Sequence, residues 1–204
     1  MVIWPPLGIR GFMRRFLALA AVLVMTTSAA CAQLSRSTDS GNASSEPATN
    51  ERGNIVKQAG EPAGITNKLK AGKEELTFTL NSLSMTDVCE KNYGSFTDST
   101  KPEHGHFLVL DMSVTTAADL DPMIGGLVLN PNSFSTIGPD GVTETDLATM
   151  GTYSCFSDER FPTEGFKSSQ KYAGKIVLDT KNKSGVLIYT LGGFEGGWEW
   201  AYTV

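Results

Sequence analysis

His104 and His106 are the two histidines of the chain, and one glycine separates them. On an extended segment, residues two apart point to the same side, so His-x-His presents both imidazoles as ligands on one face. A zinc site needs three or four ligands. Glu103 points the opposite way if the segment is extended, and Asp98 or Asp121 joins the pair only if the chain folds back. The plainer reading is a solvated loop leading into a strand. Asp119-Leu120-Asp121 and Asp140-Gly141 carry the oxygen ligands that calcium takes in extracellular loops, without EF-hand spacing. Turn chemistry and solubility account for those acids as well. Glu159 and Glu164 flank Phe161-Pro162 and pair two carboxylates, as glycosidases do. Two acids in an acidic loop are not a catalytic constellation, and no Gly-x-Ser-x-Gly or other nucleophile–base pattern occurs. The sequence therefore reads as that of a non-catalytic protein, with no cofactor.

The cysteines, Cys31, Cys89 and Cys155, say more. The apolar run from Phe16 to Met25 follows Arg14 and Arg15 and precedes Ser28-Ala29-Ala30. Basic residues, a short apolar stretch and small residues make a secretory signal peptide, here residues 1–30. A bilayer span needs roughly 20 apolar residues, so the run is too short to be one. Met13 opens a tidier leader than Met1, and either is a possible start. Two cleavage sites compete. Ser28-Ala29-Ala30-Cys31 resembles a bacterial lipobox, with Ser28 where an aliphatic residue is usual, and would leave Cys31 as a lipidated N-terminus. Ala30-Cys31-Ala32 also reads as A-x-A, with cleavage before Gln33.

Both sites export the chain. In an oxidising compartment the two remaining cysteines, Cys89 and Cys155, form a disulfide framework. Such a loop closure stabilises by about 4 kcal/mol in the chain-entropy model. Cys31 is left over, and lipidation consumes it.

From Ala32 to Lys73 the chain is rich in Ser, Thr, Asn, Gly, Ala and Pro and contains no Phe, Tyr or Trp. Without large side chains to bury, residues 31–73 read as a lipid-anchored disordered linker. It would hold a domain at residues 74–204 away from the membrane. The three basic residues before Cys31 are arginines and no acid lies there, so a chain starting at Cys31 keeps 14 of 17 basic groups against all 22 acidic ones, net −8. Nucleic-acid binding needs a basic stripe, so nucleic acid is not an expected partner.

Elements that would position these residues are strands. Leu76, Phe78 and Leu80 alternate with threonines. In "HFLVLDMSVTT", Leu108, Leu110, Met112 and Val114 fall on one face and Phe107, Val109, Asp111 and Ser113 on the other. "GLVLN", "SFSTIG", "KYAGKIVLDT", "SGVLIYTL" and "WEWAYTV" are further short runs separated by turn signals. "VLDTKNKSGVLIY" reads as a hairpin, and "TDLATMG" as the place for a helical turn. Trp198, Trp200 and Tyr202 share a face of the last strand. They form either a core ladder or a stacking platform for a sugar or peptide. Strands in this number and spacing imply an all-β, two-sheet sandwich.

This pattern is similar to the immunoglobulin-like domain of unknown function carried by bacterial lipoproteins and secreted antigens. The likeness rests on the leader and spacer, on Phe107–Val114 as the central strand, on Gly174–Asp179 and on the terminal "WEWAY". Where that family has "V-T-N", this chain has Val114-Thr115-Thr116. The resemblance implies a sandwich at the cell envelope and brings no catalytic residues. The expected protein is an extracytoplasmic, membrane-anchored lipoprotein, or alternatively a secreted one. Its domain would bind an envelope protein, peptide or glycan. The competing function is capture of a metal or small ligand by His104 and His106.

Overall fold

Alternation over residues 106–116 dictates a strand with two different faces, and that strand stands at the centre of the fold. The computed structural model describes residues 48–67, 72–92, 97–127, 129–192 and 196–204. They form β1 (Asn54–Lys57), β2 (Pro62–Asn67), β3 (Lys73–Thr86), β4 (Cys89–Asn92), β5 (Thr97–Thr100), β6 (His106–Thr116) and a helical turn, α1 (Pro122–Gly125). Then come β7 (Phe134–Ile137), β8 (Thr143–Glu144), α2 (Met150–Ser154), β9 (Lys171–Thr180), β10 (Ser184–Thr190) and β11 (Gly197–Thr203). One sheet has the order β1-β11-β10-β7-β8 and the other β2-β3-β6-β9, while β4 and β5 pair only with each other. Only β1 against β11 is parallel; the other ladders are antiparallel. This is the expected all-β sandwich of two sheets.

The core lies where the sheets face each other. Leu108, Leu110, Met112 and Val114 of β6 join Leu76, Phe78 and Leu80 of β3 and Leu187, Tyr189, Trp198, Trp200 and Tyr202 of the opposite sheet in one buried cluster. Phe78 meets Trp198 edge-on at 4.8 Å and Tyr189 at 5.2 Å, across the gap between sheets. Each such contact is worth about 0.5–1.5 kcal/mol beyond area burial. The other face of β6 is also covered. Phe107 and Val109 join Val177 of β9, Cys89 and Cys155 in a second, smaller cluster. Cys89 and Cys155 form the expected disulfide, with Cα atoms 5.5 Å apart, inside the range the bond permits.

Several expectations need correction. The "VLDTKNKSGVLIY" segment is no hairpin. β9 pairs with β6 in one sheet, and β10 pairs with β7 and β11 in the other. Their apolar faces pack against each other rather than side by side, so residues 181–183 cross the sandwich. No strand forms at 126–127 or 129–130. Asp121 caps α1 there, and Asn130 caps a 3-10 turn at Pro131–Ser133. The helical turn expected in "TDLATMG" starts later, at Met150.

The linker expectation fails over residues 54–67, which form β1 and β2. Ile65 and Ala63 are buried there, and β1 gains a backbone ladder from β11. Aromatic content is a poor guide where a neighbouring strand supplies the hydrogen bonds. The signal peptide, Cys31 and the linker before residue 48 lie outside the described residues. All described residues belong to one compact unit. Among them, no helix is long and apolar enough to cross a membrane.

Candidate functional site

A buried carboxylate fixes the histidine segment. Asp179, at the end of β9, is fully buried. It accepts hydrogen bonds from the backbone N–H of Glu103 (2.7 Å) and of His104 (3.0 Å), and from Thr149 Oγ1 (2.9 Å). Its own N–H donates to the Leu147 carbonyl at 2.9 Å. A buried acceptor satisfied by three donors is a structural knot, and it ties the entry of β6 to the approach of α2.

The histidines do not act together. His104 Nδ1 lies 3.3 Å from the Asp179 carbonyl oxygen, while His106 Nδ1 lies 2.5 Å from the Asp87 carboxylate. The hydrogen bond with His106 holds the Asp87 carboxyl below its ordinary value. Between the rings, Gly105 has φ of +141°, so the segment is not the extended His-x-His of the metal reading. Asp98 lies in β5, and Asp121 accepts from the Met123 N–H as the cap of α1. Among the described residues, no group of three His, Cys, Asp or Glu side chains could hold a metal.

The aromatic ladder is core. Trp198, Trp200 and Tyr202 are 9%, 1% and 5% exposed, so the stacking-platform reading is overturned. β1 and β10 flank their strand, and the opposite sheet covers their rings. The alternate face of β11 carries Glu199, 5% exposed. Arg52 donates to it through Nη2 (2.7 Å) and Nε (3.0 Å), and Asn50 and Asn54 add their side-chain amides at 2.5 and 3.3 Å. Burial works to raise the Glu199 carboxyl, but the bonds from Arg52, Asn50 and Asn54 and the Arg52 charge outweigh it. The group stays below its usual range.

One concave feature among the described residues lies outside the β3–β6 face, beside the disulfide. It is a cleft of about 550 Å³ between β4–β5 and the segment that follows α2. Glu90, Asp98, Asp158 and Glu159 are among its lining residues, with Ser84, Thr86 and Thr100, and among the described residues no Lys, Arg or His lines it. Of the expected carboxylate pair, only Glu159 is there; Glu164 sits on an exposed turn. Phe156 stands at the edge with φ of 51° and 36% exposure, a left-handed conformation unusual for a residue with a side chain. Lys175 Nζ lies 4.4 Å over its ring and 2.6 Å from Glu159 Oε2. Carboxylates and a ring face are both attractive to amines and guanidinium ions, and one cation of the protein itself is already held that way. The sequence did carry a trace of this cleft. Glu90 follows Cys89, and Asp158 and Glu159 stand just past Cys155, so the disulfide draws the acids together.

No family model matches the chain, and no curated protein matches its sequence. Among solved structures, the chain is similar to that of MPT63, a secreted protein from Mycobacterium tuberculosis. The identity is 12%, the match covers 73% of this chain and 98% of that one, and the TM-score is 0.43.

Proposed function

We propose that the chain is an exported, lipid-anchored envelope protein whose sandwich is a binding module, with the cleft beside the disulfide as its contact surface. The observation that carries this reading is the cleft itself: four acidic residues, Glu90, Asp98, Asp158 and Glu159, line one hollow together with Phe156. That chemistry fits the cationic groups of an envelope protein or peptide. The disulfide supports export, since it uses both cysteines beyond the leader and leaves Cys31 for a lipid.

The anchor is tested in cells. Labelled palmitate enters the wild-type protein, which fractionates with membranes. Cys31→Ala takes up no label and is released or left unprocessed. Absence of label from the wild type overturns the anchor and leaves a secreted protein.

A further inference from the structure

The cluster on the outer face of β6 is small and consists of Cys89, Phe107, Val109, Cys155 and Val177. Its cover comes from β4–β5 and α2. Among the described residues the hairpin forms no ladder with either large sheet, and α2 is five residues long. The three parts meet at Gly151, where an added Cβ would lie 2.7 Å from the Phe107 ring and 3.2 Å from the Thr100 methyl group. The main core between the sheets contains no residue of β4, β5 or α2. What covers this face therefore has little apolar attachment of its own: its share of the five-residue cluster is the two bonded cysteines, set against Phe107, Val109 and Val177 of the sheet.

We infer that β4–β5 and α2 form a two-part cap over the outer face of the four-stranded sheet, its parts stapled to each other by the Cys89–Cys155 bond, and that reducing this bond lets the parts separate and bares Phe107, Val109 and Val177 while the sandwich stays folded. The reductant is a dithiol. Its thiolate attacks Sγ of Cys89, the less buried partner at 9% against 2% exposure, and forms a mixed disulfide. Cys155 leaves as a thiolate and takes up a proton. The second thiol of the reductant then displaces Cys89, giving two protein thiols and one oxidised dithiol. The cleft shares its wall with both cysteines, so separation of the cap's two parts also dismantles the cleft. The staple does not depend on what the cleft binds, and the two readings fail separately.

The test is hydrogen–deuterium exchange on the intact, folded, disulfide-bonded protein before and after dithiothreitol, with thiol counting to verify reduction. Amides of residues 89–92, 97–100 and 150–159 should exchange at least about tenfold faster after reduction, as in a separable unit. Those of 107–114 should remain among the slowest. Fluorescence of an apolar dye should rise as the outer face is bared. The double variant Cys89→Ser/Cys155→Ser should show the reduced pattern with no reductant present. Unchanged protection of the cap after full reduction would overturn the inference. So would loss of protection in all strands together, since that makes the cap part of one cooperative unit.

Discussion

At the scale of single residues, the acids and histidines mostly hold the fold. Asp179 knots two loops, His106 pairs with Asp87, and Glu199 gathers Arg52, Asn50 and Asn54 onto β11. Glu199 makes a clear prediction. Its folded pKa is depressed, so its contribution is fully present above the unfolded value of about 4.3 and is lost as pH falls through the folded value. Glu199→Gln should cost roughly 1–2 kcal/mol at pH 7. The figure stays modest because Arg52 is half exposed and screened. Urea unfolding at pH 7 and pH 3 checks this: the gap between variant and wild type should narrow in acid. A gap unchanged at pH 3 would mean that shape, not charge, matters there.

These roles were only half legible in the sequence. His-x-His spacing correctly puts two imidazoles near each other along the chain. The φ of +141° at Gly105 and the partners waiting in β9 and at Asp87 come from tertiary structure, which spacing does not encode. The tryptophans share a face as their two-residue spacing requires, and only the facing sheet decides that the face is buried.

At the scale of elements, period-2 alternation located β3 and β6, and short β-branched and aromatic runs between turn signals located β7, β9, β10 and β11. Alternation identified the faces of β6 as well, with Leu108, Leu110 and Met112 toward the sandwich core. It did not identify partners. A short polar link between two strands looks the same whether it turns a hairpin or crosses a sandwich, and here the strand that follows it, Ser184–Thr190 with Gly185 at φ +151°, belongs to the other sheet. β1 and β2 were hidden for a different reason: small side chains are enough where β11 and β3 supply the ladder.

Those two strands can be tested by truncation. A domain starting at residue 48 should melt like the full mature chain. One starting at residue 74 loses β1, β2, Ile65 and the donors to Glu199, and its melting temperature should fall by about 10 °C or more. Equal melting temperatures would show that β1 and β2 add nothing to stability.

At the scale of the molecule, the charge is unevenly spread. Residues 74–204 carry 8 basic and 18 acidic side chains, and the cleft concentrates that excess where the disulfide joins two loops. A charged hollow of this kind steers a cationic partner and weakens with salt. The fold class was legible from alternation and strand spacing. Of the cleft the sequence carried only the trace left by acids next to Cys89 and Cys155, because the two groups are distant in sequence and the Cys89–Cys155 bond brings them together.

The most direct test of the binding claim is a titration of the folded domain with a short lysine- and arginine-rich peptide, followed residue by residue by NMR. Shifts should concentrate at Glu90, Asp98–Thr100 and Ser154–Glu159, weaken with added salt, and vanish in Glu90→Lys/Asp98→Lys. Shifts spread evenly over the acidic surface, or surviving the charge reversal, would contradict the assignment of the cleft as the binding surface.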